Sequence, residues 1–125
     1  MPIRAHKDDA GLDLLAMHSA VIPPCGHTNV ETGIHAEIPR GYVGLLTSKS
    51  GLMSKGITSR GTIDCGYTGS IKAVLYNHSH KCIEIEAGQK ITQMVIVPII
   101  TPELEVVDSL EETERSDGGF GSSGK

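Results

Sequence analysis

Apolar residues in this chain recur at every second position. Val30, Ile34 and Ala36 alternate with polar neighbours, Ile71, Ala73 and Leu75 keep the same rhythm, and Ile83 and Ile85 sit between Glu84 and Glu86. Side chains of an extended strand point alternately to its two faces, so this spacing describes strands with one face toward a core; the 3.6-residue rhythm of an amphipathic helix is nearly absent. Turn formers punctuate the segments, at Pro23-Pro24-Cys25-Gly26, Ile38-Pro39-Arg40-Gly41, Gly61, residues 66–69, residues 77–80 and Ala87-Gly88. Short strands broken at intervals of roughly 8–12 residues predict an all-β sandwich or barrel. The most apolar stretch, residues 91–100, is expected to be a core strand ended by Pro98. One stretch departs from the rhythm: Ser50-Gly-Leu-Met-Ser-Lys-Gly-Ile57 predicts a turn or two of helix, capped by Ser50 and stopped at Gly56.

A chain of 125 residues suits one domain, here expected over residues 1–110, followed by a flexible C-terminal arm over residues 111–125 that begins at Glu111-Glu-Thr-Glu114 and becomes rich in glycine. With no Trp, one Phe and three Tyr, the core must be built from Ile, Val and Leu, and association between copies would add buried area. The pattern alone does not fix a copy number. A net charge of −4 without any basic cluster argues against a general nucleic-acid partner, and an anionic ligand would need a few local cations or a metal. No apolar run approaches the ~20 residues that span a bilayer, and the N-terminal MPIRAHKDDAG lacks the apolar centre of a signal peptide. The expected setting is cytoplasmic, with no membrane partner. Cys25, Cys65 and Cys82 are odd in number and widely spaced, as reduced thiols would be, and the six histidines are scattered.

Four segments carry polar groups suited to chemistry. The tail, Arg115-Ser-Asp-Gly-Gly-Phe-Gly-Ser-Ser-Gly-Lys125, holds the only phenylalanine. Gly119 and Gly124-Lys125 imitate a Walker A loop, but no Ser or Thr follows, no strand precedes and no helix can follow. The remaining possibilities are an inert linker or a phosphate-binding arm of glycine amides, hydroxyls and Arg115. Residues 61–71 place Asp64 and Tyr67 on what reads as a hairpin, either as turn former and packing residue or as functional groups. Asp13 sits in the apolar run Ala10-Gly-Leu-Asp-Leu14, where a charge is costly unless paired or functional. Ser48-Lys-Ser-Gly51 sets a cation and hydroxyls at a possible helix start, which is favourable for anions.

Taken together, Ala10-Gly-Leu-Asp-Leu14, Ser48-Lys-Ser-Gly-Leu-Met-Ser-Lys-Gly-Ile57, Gly61-Thr-Ile-Asp-Cys-Gly-Tyr-Thr-Gly69, Gly88-Gln-Lys-Ile-Thr-Gln-Met94 and residues 115–124 resemble the five ordered motifs of trimeric dUTP pyrophosphatases. The resemblance implies a jelly-roll-like β barrel and a homotrimer whose three sites each draw on all subunits. It implies hydrolysis of dUTP to dUMP and pyrophosphate by water attack on the α-phosphorus with Mg²⁺, which limits uracil in DNA and supplies dUMP for dTMP synthesis. In that scheme Asp64 orients and deprotonates the water. Tyr67 lies under the deoxyribose and excludes a 2′-hydroxyl. The backbone of Gly61, Thr62 and Ile63, with the returning strand near Ile71 and Lys72, reads the uracil edge. Lys49, Ser50, Gly51 and Gln93 contact phosphates, and Asp13 holds Mg²⁺ through water. Phe120 stacks on uracil while Arg115, Gly121, Ser122, Ser123 and the Gly124 backbone close over the γ-phosphate. Lys49 stands where many relatives have Arg, and the link from Ile57 to Asp64 is shorter than in many. Two rival readings are a dCTP deaminase relative, which should carry a glutamate base where Asp64 stands, and a dUTP-binding regulatory module.

Overall fold

The alternation becomes nine short strands and one helical turn among the residues that the computed structural model describes, 1–121. In chain order these are β1 (Leu12–Leu15), β2 (Ala20–Ile22), β3 (His27–Glu31), β4 (Tyr42–Thr47), α1 (Ser50–Met53), β5 (Ile57–Ser59), β6 (Gly61–Ile63), β7 (Lys72–Asn77), β8 (Ile83–Ile85) and β9 (Lys90–Pro98). They form three antiparallel sheets, ordered β1-β9-β4-β6, β3-β7-β5 and β2-β8. The fold is all-β as expected, but among the described residues the three sheets stay separate and do not close into one continuous barrel.

Two apolar clusters fill the interior. One gathers Ile22, Val30, Leu75, Ile85 and Ile91, and the other gathers Leu14, Leu46, Ile63, Ile71 and Met94 beneath the four-stranded sheet. Each fully buried Leu or Ile contributes about 1.5–3 kcal/mol relative to exposure. No aromatic ring shares in this, since all three tyrosines are exposed. β9 crosses both clusters and buries Ile91 and Thr92 in succession, which strict alternation forbids. A register shift opposite them, between Leu14 and Leu15 of β1, accommodates the change of face.

Three local expectations change. Val30 lies in β3, but Ile34 and Ala36 fall outside any strand while still packing partly buried on the second cluster. The ladder breaks because Thr32 gives both its amide and its hydroxyl to the Ile71 carbonyl, after which Gly33 takes a φ of +70°. Ser50 is the first helical residue rather than the cap; Lys49 holds the cap position with extended backbone and no side-chain cap bond, while Gly56, at φ +89°, ends the turn as expected. Residues 61–71 are not a paired hairpin. β6 pairs with β4, whereas β7 pairs with β3 and β5, so residues 64–71 cross from one sheet to another.

Candidate active site

Register across the four-stranded sheet assembles the first half of the site. Gln93 of β9 lies opposite Asp13 of β1 on one side and Thr47 of β4 on the other, so all three side chains emerge on the same face. Their neighbours Leu14, Met94 and Leu46 point into the core. Asp13 is only 3% exposed, and its charge is met by two lysines, with Lys49 Nζ 2.5 Å from Oδ1 and Lys90 Nζ 3.4 Å from Oδ2. Burial pushes the Asp13 carboxyl up, but hydrogen bonds and attraction from Lys49 and Lys90 outweigh it and hold the group below its ordinary 3.8. Asp13 is therefore an ionised anchor whose partners are both cations.

The Gln93 amide donates through Nε2 to the Ser48 carbonyl at 3.2 Å. It lies against Gly11, where an added Cβ would stand 2.1 Å from Oε1, so the glycine of the first motif makes room for the glutamine of the fourth. Beneath them runs a hydroxyl network that sequence reasoning missed. Ser48 Oγ donates to the Ser59 carbonyl at 3.1 Å and accepts from the Ser59 amide at 2.9 Å. Ser59 Oγ meets Thr92 Oγ1 at 2.8 Å, and Thr92 donates to the Thr47 carbonyl at 2.9 Å. Ser59 and Thr92 are buried, and these bonds tie the end of β4 to β5 and β9 directly before Lys49 and Ser50. The available signal for Thr92 was a hydroxyl inside the most apolar stretch of the chain.

The second half is a cleft of about 240 Å³ lined by Thr62, Ile63, Asp64, Tyr67, Ser70, Ile71 and Lys72. Tyr67 is held from two ends, its amide donating to the Asp64 carbonyl at 3.1 Å and its hydroxyl to the Ser70 carbonyl at 2.7 Å. Gly69 makes this pose possible, since a Cβ there would stand 2.6 Å from the Tyr67 hydroxyl. His35 Nδ1 pairs with the Thr68 carbonyl at 2.8 Å and fixes the loop from outside. Ile71 cannot read a base with its backbone, because its amide donates to Ile34 and its carbonyl accepts from Thr32. Lys72, whose Nζ lies 3.6 Å from Glu31, is the remaining residue of the returning strand at the cleft. Asp64 is exposed and enters none of the three ion pairs among the described residues.

Thr62 also borders a larger groove of about 680 Å³ on the outer face of the four-stranded sheet, where Ser48, Arg60 and Gln93 line the wall. Asp13, Lys49 and Gln93 thus form one group, and residues 61–64 with Tyr67 and Lys72 another. Ser50 and Gly51 are exposed at the start of α1. Residues 115–121 of the tail join neither group. Arg115 Nε donates to the Gly118 carbonyl at 2.6 Å, Phe120 is completely exposed, and Gly121 has a φ of +80°, while Ser122, Ser123 and Gly124 lie outside the described residues. Among the described residues no three His, Cys, Asp or Glu side chains are grouped to hold a metal directly.

A family model described as dUTPase matches residues 1–124. The chain belongs to the dUTPase family. A deoxyuridine 5′-triphosphate nucleotidohydrolase of Clostridium tetani is 43% identical to it, over 100% of this chain and 89% of that one. The protein of the same name from Paramecium bursaria Chlorella virus 1 is 40% identical over 98% and 89%. Among solved structures, the dUTPase of Staphylococcus bacteriophage 80alpha with dUpNHpp superposes with a TM-score of 0.90 at 37% identity, covering 100% of this chain and 92% of that chain. A mutant dUTPase from phage phi11 of S. aureus, described as showing the coordination of a structural Mg(II) ion, gives a TM-score of 0.81 at 34% identity over 90% and 92%.

Proposed function

We propose that this chain hydrolyses dUTP to dUMP and pyrophosphate, with water attacking the α-phosphorus, in a homotrimer whose sites are shared between copies. The observation that carries this reading is Asp64, exposed and in none of the ion pairs among the described residues, at a cleft walled by a tyrosine pinned at both ends. At about 240 Å³ the cleft is smaller than the roughly 300–1,000 Å³ of a full ligand pocket. It suits the base and sugar, leaving the triphosphate to reach outward. The Tyr67 ring lies against the sugar and leaves no space for a 2′-hydroxyl, and the backbone at Gly61, Thr62, Ile63 and Lys72 faces the uracil edge. Asp64 accepts the proton of the attacking water and holds that water in line. Ser50, Gly51 and Gln93 receive phosphate oxygens, with Lys49 adding positive charge from its place on Asp13.

The residues present suit Mg²⁺ carried by the substrate. No direct protein cage exists among the described residues, but ionised Asp13 can accept hydrogen bonds from metal-bound water on its looser, Lys90 side. When bound, the ion neutralises the triphosphate and helps align it. The trimer is supported by apolar side chains that the chain leaves uncovered after β9: Ile100 is 87% exposed, Leu104 96%, Val106 99% and Leu110 84%. The arm of residues 111–125 then closes a site with Arg115 and Phe120, followed by Gly121, Ser122 and Ser123, shielding the reaction from bulk water.

The test is to incubate the protein with Mg²⁺ and each of dUTP, UTP, dTTP and dCTP, and to identify the products. Pyrophosphate from dUTP alone supports the proposal, whereas ammonia from dCTP indicates a deaminase. Tight dUTP binding without turnover indicates a regulatory module, and control of virulence-gene transfer is the role given for the phage 80alpha protein.

A further inference from the structure

The phosphate-facing cation expected from sequence, Lys49, is already committed. Its ammonium lies 2.5 Å from a carboxylate that is 3% exposed, and withdrawing it would leave that buried charge with Lys90 alone at 3.4 Å. Lys72 is paired as well, with Glu31. Arg60 enters none of the ion pairs among the described residues, is exposed, and lines the groove of about 680 Å³ beside Ser48, Thr62 and Gln93.

Its backbone is anchored on both sides. Arg60 is the single residue between β5 and β6, so the chain is fixed on one side by Ser59 paired with Leu75 and on the other by Gly61 paired with Leu46. Ser59 is locked further by its reciprocal bonds to Ser48. On this anchored backbone the Arg60 side chain can offer a planar, permanently charged fork to phosphate oxygens, which a lysine already bound to a carboxylate does not. The groove also falls within the volume range of a complete ligand site, unlike the smaller nucleoside cleft, and Thr62 borders both.

We propose that Arg60 is a further polyphosphate-binding cation of this chain, seating the phosphate chain of the substrate in the outer groove while Lys49 stays on Asp13. The assignment rests on the reading above for the identity of the nucleotide, but its chemistry requires only a polyphosphate. The experiment is calorimetric titration of the full-length protein, with Mg²⁺ present, using inorganic tripolyphosphate, dUpNHpp and dUMP against wild type, Arg60→Gln and Arg60→Lys. Arg60→Gln is expected to weaken tripolyphosphate and dUpNHpp by about 10- to 100-fold, the range of a lost charge-assisted contact, and to leave dUMP within about twofold. Arg60→Lys should recover part of the loss, and unchanged circular dichroism of both variants shows that folding is intact. Undiminished binding of both polyphosphates in Arg60→Gln, or an equal loss for dUMP, overturns the assignment. Arg60-dependent binding of tripolyphosphate with no binding of dUpNHpp or dUMP would keep Arg60 in its role and reject the dUTP reading instead.

Discussion

Replacing Lys49 with methionine should destabilise the protein through Asp13. The change keeps most of the aliphatic stem and removes the ammonium that lies 2.5 Å from Oδ1. Removing one partner of a fully buried ion pair costs about 3–5 kcal/mol. Here Lys90 remains at 3.4 Å from the other oxygen, and the Lys49 side chain is 25% exposed, so water screens part of the interaction. These discounts bring the expected loss to about 2 kcal/mol. At about 3–6 °C per kcal/mol for a chain of this size, the midpoint should fall by roughly 6–12 °C. The Asp13 carboxyl is held below its unfolded 3.8 by Lys49 and Lys90 against the opposing effect of burial. Its contribution is therefore present above 3.8 and is lost as pH falls through the lower folded value. Urea unfolding followed by circular dichroism, at one protein concentration and from about pH 7 to about pH 3, reads both effects. The gap between wild type and variant should be widest near neutrality and shrink on acidification. Equal stability at neutral pH, or a gap that persists unchanged in acid, would refute the argument.

Three further outcomes concern catalysis. Asp64→Asn should retain dUpNHpp binding and lose about 100-fold or more in kcat for dUTP, and unchanged turnover would remove Asp64 from the role of base. Gly69→Ala places a Cβ 2.6 Å from the Tyr67 hydroxyl, so the ring must shift; KM for dUTP should rise and discrimination against UTP should fall, and intact discrimination would mean that Tyr67 does not read the sugar. Truncation after Glu114 should leave a folded oligomer of unchanged stoichiometry by light scattering with poor dUTP turnover, and full turnover would exclude a closing arm.

Strands were legible wherever alternation coincided with pairing. β7 and β8 follow the apolar rhythm, while β9 was legible as the most apolar stretch and stops at Pro98, which has no amide hydrogen to extend the ladder. Ile34 and Ala36 continue the rhythm and still face the core, yet the Thr32 bonds and the Gly33 turn take them out of the ladder, so periodicity reported burial and not pairing. The apparent hairpin at residues 61–71 failed for a related reason: neighbours in sequence were claimed by different sheets, a tertiary choice that no local pattern encodes. Asp13 was recognisable as a charge needing a partner, but only strand register and the end of β4 show that Lys49 and Lys90 supply it. Ser59 and Thr92 went unnoticed because single hydroxyls read as weakly polar spacers until they are seen bonded to each other. Phe120 was anomalous in sequence as the sole phenylalanine in a glycine-rich tail, and among the described residues it is completely exposed.

The central claim concerns which bond of dUTP is broken and by what. Turnover of dUTP in ¹⁸O-labelled water, with products resolved by mass spectrometry and Asp64→Asn as control, addresses it directly. The account predicts one labelled oxygen in the phosphate of dUMP, none in pyrophosphate, and near-complete loss of both products in the variant. Label in pyrophosphate, or wild-type turnover that survives loss of the Asp64 carboxylate, would contradict it.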